Sequence, residues 1–429
     1  MGAAVTARPP HHPTPRYDVV IAGAGPAGAA VALRLAQAGL RVVAVDRAAF
    51  PREKACSEYM SPEGVRHLAA LGVLQDVERQ GGNPIRGTTV HAPRGSSLTG
   101  IFARAAPVPF RETGLSVSRR ILDHTLVAAA RRAGAEIREQ TSVRAVLRDG
   151  AAVSGLLVRD EAGTSRELRA RLTIGADGLH SRVARTIGVR HTGFLRRYAL
   201  VAHVTDVPGL DDTAEMHVTR EGYVGLNPLG GGLANVALVL PKAQIPSGAN
   251  PDQAGRAAAR GPSLPLDRFF LEKLARFPGV RGRIGPRAIV RPVLVTGPFA
   301  VRTSPVITAG AVLVGDAADF FDPFTGEGIC AALRGAQLIE QTLLDPLRSG
   351  EPLHRSALRD YVVARRRAFL GKWIVERLIG YAMLAPSLFD RAVERLERRG
   401  LSHTLIGVTG DFLPARAVLN PIFLSQVML

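Results

Sequence analysis

Apolar positions along this chain follow two patterns. Short, nearly unbroken runs at residues 17–22, 40–45, 172–177 and 311–316 read as strands buried on both faces. Residues 26–38 carry helical spacing and stop at Gly39, so the first two runs and this helix make a βαβ unit of about 30 residues. Residues 122–133 read as a second helix, closed by Gly134. Residues 88–110, 198–205 and 214–240 alternate apolar with polar and are broken by Gly and Pro, which predicts a separate, mainly antiparallel sheet. Residues 241–265 are rich in Ala, Gly and Pro and read as a surface loop, followed by a short helix near 267–277. From about His354 the pattern is helical and basic, over 357–384 and 387–399, and 412–429 form a mostly apolar tail.

The buried runs end in glycine and acid. Gly23-Ala-Gly25-Pro26-Ala27-Gly28 follows a strand and opens a helix, the context that makes this spacing a dinucleotide site. Gly23 permits the turn, Gly25 lets backbone approach a pyrophosphate, and Gly28 lets helix and strand pack closely. The start of the helix offers N–H groups and partial positive charge. Asp46, 18 residues past Gly28, is a partner for ribose hydroxyls, with Arg47 beside it. This motif alone does not separate FAD from NAD. A second motif, Gly175-Ala-Asp177-Gly178, follows, and the third makes the separation: Gly315-Asp316 leading into Pro323-Phe-Thr-Gly326-Glu327-Gly328-Ile329. Asp316 can reach a ribose or ribityl chain. The helix predicted over 329–343 can stabilise negative charge on the pyrimidine side of a reduced flavin. Three motifs in this order predict one FAD gripped by distant parts of the chain.

Composition narrows the setting. Of 429 residues only two are cysteine, too few for a disulfide framework, a four-cysteine zinc site or a four-cysteine iron–sulfur cluster, and this suits a reducing cytoplasm. Residues 1–16 lack a signal-peptide core and read as a disordered tail, and no apolar run is long enough to span a membrane. The net charge of +18 (55 basic against 37 acidic residues) implies attraction to something anionic. It is spread along the chain with no basic-aromatic stripe, so no nucleic-acid partner is expected. His67, His180, His203 and His217 show no ligand spacing, and no metal site is assigned. Cys56 is a weak catalytic candidate against a plain packing role. Lone Trp373 reads as core, and Arg365-Arg-Arg367 as a solvated helix face.

From residue 17 to about 343 the chain resembles the p-hydroxybenzoate-hydroxylase-type FAD monooxygenases, and within them the branch holding geranylgeranyl reductases. The three motifs carry this, together with Lys54-Ala-Cys-Ser-Glu-Tyr-Met-Ser-Pro62 and Arg119-Arg-Ile-Leu-Asp123. The resemblance implies that Arg119 contacts the FAD phosphates and that backbone at Val143 sits by the adenine. It also implies that Asp177, Gly178 and Arg182 serve both FAD and a nicotinamide cofactor. Two positions depart from the family: most relatives have Glu where Asp46 stands, and the reductases typically show Cys-Gly near Cys56. The halogenase signature Trp-x-Trp-x-Ile-Pro is absent.

The expected fold class is α/β. A discontinuous Rossmann-type FAD-binding domain would take 17–85, 114–195 and 301–350. A substrate domain with the second sheet would take 86–113 and 196–300, and a C-terminal helical region 351–429. The expected activity is that of an NAD(P)H-dependent monooxygenase acting with O2, through a flavin C4a-hydroperoxide, on a lipophilic aromatic or polyketide-type small molecule, free or carrier-bound. The C-terminal helices would close the pocket, with an apolar mouth that could touch a membrane surface. The alternatives are a flavin-dependent C=C reductase of the geranylgeranyl type and an electron-transfer flavoprotein.

Overall fold

The structure is a computed structural model that describes residues 17–246 and 264–428. The expected tail at 1–16 and most of the expected loop at 241–265 lie outside the described residues. Strands Ile307–Thr308, Ala311–Leu313, Ser165–Gly175, Tyr17–Ala22, Val42–Val45 and Glu136–Arg138 lie side by side in that order. The pairings are parallel from Ala311–Leu313 to Glu136–Arg138, with Val19 opposite both Leu172 and Val42. Strands Ser142–Asp149 and Ala152–Arg159 form an antiparallel meander on the first half of Ser165–Gly175. Alternation along each strand builds two cores. Val19, Ile21, Val42, Ala44, Leu172 and Ile174 face the helices Pro26–Gln37, Arg119–Arg132 and Gly328–Arg348. Val20, Ala22, Val43, Val45 and Leu313 face the meander and the short helix Arg182–Ile187. This is why the runs are apolar at nearly every position.

The second sheet has seven strands, ordered Ile289–Thr296, Arg197–Thr205, Leu233–Pro241, Tyr223–Gly230, Thr213–Val218, Gly87–His91 and Ser97–Ile101. All its pairings are antiparallel except one. Thr213–Val218 runs parallel to Gly87–His91, with His217 opposite His91. The chain leaves Ser97–Ile101, passes through the other sheet, and returns alongside its own earlier strand, so no hairpin could join this pair. One face of the sheet packs on Phe270, Leu274 and Phe277 of the helix Leu264–Leu274 and the turn after it. The other face meets the C-terminal helices Arg359–Ala382, Pro386–Arg398, Ser402–Thr409 and Pro421–Met428, through Val375, Phe389, Val408 and Phe423 in turn. The expected tail at 412–429 therefore contains a helix. The helix Pro62–Ala70 was also not anticipated; Ser61 caps it and Pro62 begins it, but its apolar positions are few.

The segment 53–58 ties the two sheets together. Asn235 Nδ2 donates to the Cys56 carbonyl at 2.8 Å, and Asn227 Nδ2 to the Ser57 carbonyl at 3.0 Å. Arg291 Nη1 reaches Glu53 at 3.0 Å. Glu58 is fully buried and has φ +58°, a left-handed conformation rare for this residue type. Its carboxylate accepts from the Arg119 amide at 2.8 Å, from Asn235 at 2.7 Å, and bonds His203 Nε2 at 2.6 Å. Burial works to raise its pKa, but His203, Arg291 and the Arg119 amide together hold it below the ordinary value. Glu58→Ala leaves His203 without its buried partner and removes one of the two carboxylates beside Arg291. It is expected to cost about 3–5 kcal/mol of stability, read as a lowered midpoint in denaturant unfolding. Because the folded pKa of Glu58 is depressed, its contribution is present above the unfolded carboxylate pKa and fades as pH falls through the folded value.

Candidate FAD site

A cavity of about 1020 Å³ opens at the C-terminal ends of the parallel strands and continues under the second sheet. Its wall holds Gly23, Gly25, Pro26, Ala27, Asp46, Arg47, Arg119 and Val143 from the first part of the chain. Asp177, Gly178, Gly315, Asp316, Pro323, Gly326, Glu327, Gly328 and Ile329 follow from the later parts, and Cys56 lies between. Of the anticipated site residues only Gly28 is not on the wall. It lies behind the turn, where a Cβ would stand 1.9 Å from the Gly23 carbonyl oxygen. Gly23 has φ +93° and a Cβ there would meet the Ala176 carbonyl oxygen at 2.5 Å, so first and middle motifs touch through backbone.

Helix Pro26–Gln37 begins at Gly25 with no side-chain cap and no acid in its first turn. A Cβ on Gly25 would come within 3.3 Å of Arg52 Nη2 and 3.7 Å of Arg119 Nη2, so two guanidiniums overhang the helix start. Both share buried Asp123, which takes Arg119 through both oxygens at 2.7 and 2.8 Å and Arg52 at 3.0 Å. Arg52 Nε is buried without a hydrogen-bond partner. Lys54 lines the same wall; burial, then Arg52 and Arg119, lower its pKa to about 8, against the opposing pull of Asp316. Three cations and a helix dipole outweigh Asp123 and Asp316 and leave a positive pocket shaped for a diphosphate. Arg119 was expected here. Arg52 was not, and Lys54 stood in the matched segment without a role, because loop residues obey no spacing rule.

At the adenosine end the Asp46 carboxylate accepts from the Ala24 and Ala48 amides, both at 2.9 Å. Its expected ribose contact therefore falls to the second lone pair of each oxygen, and its first duty is to fasten the glycine turn. Asp177 Oδ2 accepts from the Arg182 amide at 2.7 Å, while Oδ1 is buried without a partner. Burial raises the pKa of both Asp177 and Asp316. At the other end Gly326 has φ +72°, and a Cβ there would strike the Tyr59 ring at 2.7 Å. Helix Gly328–Arg348 starts on the cavity wall and runs five residues further than expected at its far end. The Glu327 carboxylate turns toward Ser61 Oγ, 3.1 Å away, and burial pushes its pKa to about 7.

Beyond this helix start the wall is aromatic: Tyr223, Phe299, Phe320, Phe321, Phe324 and Trp373. Two expectations are corrected here. Trp373 is on the cavity wall, not in the core, because the inward face of helix Arg359–Ala382 covers the cavity. Arg365 is buried, pairs with Asp319 at 2.5 Å and lies over the Trp373 ring at 5.1 Å; only Arg366 and Arg367 are solvated. Cys56 is half-buried on the wall, its sulfur accepting from the Glu58 amide at 3.4 Å. Among the described residues, His91, Glu215 and His217 bring ligand atoms within 4.8 Å of one another. Glu215 is committed to Arg283, 2.9 Å from its Oε1, and to His217 at 2.7 Å, so the group is an ion-paired cluster.

The FAD binding domain family matches residues 16–253, more than half of the chain. The chain belongs to this family. The residues present fit the cofactor: a glycine turn with no room for a Cβ at Gly23 or Gly28, and an Arg52 at the phosphate position whose Nε is buried without a partner. The chain is 30% identical to a digeranylgeranylglycerophospholipid reductase of Methanosphaerula palustris over 83% of each protein. A flavoprotein/dehydrogenase from Cytophaga hutchinsonii has a similar fold, with a TM-score of 0.77 at 20% identity over 96% of each chain. So does the flavin-dependent brominase Bmp2, with a TM-score of 0.75 at 20% identity over 92% of this chain and 93% of that one. This family member is a flavin-dependent oxidoreductase. Among its described residues no helix is long and apolar enough to cross a membrane.

Two outcomes follow for FAD binding by the apoprotein, measured by fluorescence titration. Arg52→Ala and Arg119→Ala each weaken it by about tenfold or more, as loss of a charge-assisted contact does. Wild-type affinity falls as pH rises above about 8, where Lys54 sheds its proton, and Lys54→Met removes that dependence.

Proposed function

We propose that this flavoprotein takes electrons from NADH or NADPH and inserts one oxygen atom of O2 into a lipophilic, electron-rich aromatic or polyketide-type substrate. The observation that supports it is the aromatic chamber that continues the cofactor cleft, walled by Tyr223, Phe299, Phe320, Phe321, Phe324 and Trp373. Rings on several elements suit a flat, apolar molecule. The whole cavity lies at the upper end of small-molecule pockets, which suits a dinucleotide and a compact second molecule. When bound, FAD supplies hydride acceptance and the activation of dioxygen. Arg52, Lys54 and Arg119 hold its diphosphate, Asp316 its sugar chain, and the start of helix Gly328–Arg348 faces developing negative charge. The aromatic wall orients the substrate and keeps water out. Glu376 lines the chamber, and burial raises its pKa to about 7, so its carboxyl exchanges a proton near neutrality.

A second reading, reduction of isolated C=C bonds, is favoured by the 30% identity to the archaeal reductase. Free thiols at Cys56 and Cys330 support a reducing cytoplasm as the setting for either activity. The deciding experiment is anaerobic reduction by NADH or NADPH, then air and candidate substrates, with products weighed by mass spectrometry. A gain of one oxygen atom is the expected result; a gain of two hydrogens per double bond, without oxygen, assigns the reductase. Glu376→Gln is expected to leave flavin reduction unchanged and to lower product formation about tenfold or more, with loss of the pH limb near 7.

A further inference from the structure

Helix Arg359–Ala382 is polar on the wrong side. Its inward face puts Arg365, Lys372 and Glu376, with Phe369 and Trp373, on the cavity wall. Its outward face exposes Leu370 (43%), Ile374 (41%), Leu378 (50%) and Tyr381 (48%). These follow one another at spacings of four, four and three, so they form a single line about 16 Å long. A surface helix normally shows the reverse arrangement. Val363 extends the line at one end and Leu384 at the other. Leu195 packs at Gly380, where a Cβ would stand 3.4 Å from it, which brings Phe194, 82% exposed, to the Tyr381 end. Tyr381 also lines the cavity, so the apolar line runs up to the mouth of the chamber.

Charge selects the occupant. Arg359, Arg366 and Arg367 are exposed on the same helix, and the chain carries +18. A second copy would bring an equal positive charge to the contact. An anionic lipid surface offers both an apolar layer for the line and negative charge for the arginines.

We propose that the outward face of helix Arg359–Ala382 docks on an anionic bilayer, laying Leu370, Ile374 and Leu378 into its interface with the chamber mouth at Tyr381 turned to the lipid. A lipophilic substrate then enters from the bilayer without crossing water. The docking goes beyond the redox reading and does not depend on it; only the entry of a lipophilic substrate rests on that reading.

The test is sedimentation of the FAD-loaded protein with vesicles of phosphatidylcholine, alone or mixed equally with phosphatidylglycerol. The expected result is binding to the mixed vesicles, weakened by salt, with little binding to phosphatidylcholine alone. Leu370→Ser/Ile374→Ser/Leu378→Ser is expected to lower the partition coefficient about tenfold or more, and Ile374→Trp to raise it. FAD content and NADH- or NADPH-driven flavin reduction, followed on the same samples, separate a misfolded variant or a failed redox reading from a failed surface. Wild-type protein that stays with the supernatant overturns the proposal, as does a triple variant that binds like wild type. So does a dimer that the triple variant dissociates, or binding to an acidic carrier protein in place of vesicles.

Discussion

The buried carboxylate of Glu58 is the knot of this molecule. One side chain joins the Arg119 amide, at the head of a helix on the parallel sheet, to His203 and Asn235 on neighbouring strands of the other sheet. A buried anion with so many partners from separate elements admits one arrangement, since any shift strands a charge without compensation. That arrangement decides where residues 52–58 run, and Arg291 on Glu53, Asn235 on Cys56 and Asn227 on Ser57 repeat the constraint along the segment. Arg52 and Lys54 hang over the Gly25 helix start because this strap is pinned from below.

The cavity thus has two electrostatic characters. Its phosphate end is positive, with Arg52 and Arg119 both paired to the single carboxylate of Asp123 and Lys54 on the same wall. Burial first, and then repulsion from Arg52 and Arg119, lower the pKa of Lys54, and a bound dianion offsets that repulsion. The chamber end is different. Buried Glu327 and half-buried Glu376 are carboxyls whose pKa values rise to about 7, set among aromatic rings. The first end carries an excess of positive charge, whereas the second pairs Arg365 with Asp319 and holds two carboxyls that titrate near neutrality, which suits a charged cofactor beside a lipophilic substrate.

Helix Arg359–Ala382 serves both sides of its own wall. Its inward residues finish the chamber, and its outward residues leave apolar surface uncovered by the rest of the fold. The three helices after it join the core under the second sheet through Phe389, Val408 and Phe423 and leave that outer line exposed. Small residues let the helix sit close: Gly380 lies against Phe321 and Gly371 against Ala415, each with no room for a Cβ.

By itself the sequence determined the local and the repetitive. Unbroken apolar runs become the parallel strands, because both faces are covered. The glycine turns appear where predicted, because Gly23 and Gly326 adopt conformations and contacts that a side chain would obstruct. The three motifs line one cavity, as their order implied. Tertiary structure alone decided the rest, because it depends on contacts between residues far apart. Arg52 and Lys54 belong to a loop without periodicity, and only the pinned strap aims them. Trp373 and Arg365 read as core and surface until the helix face turned toward the cavity. The parallel pairing of Thr213–Val218 with Gly87–His91 spans more than a hundred residues, a distance over which no pattern of alternation carries direction.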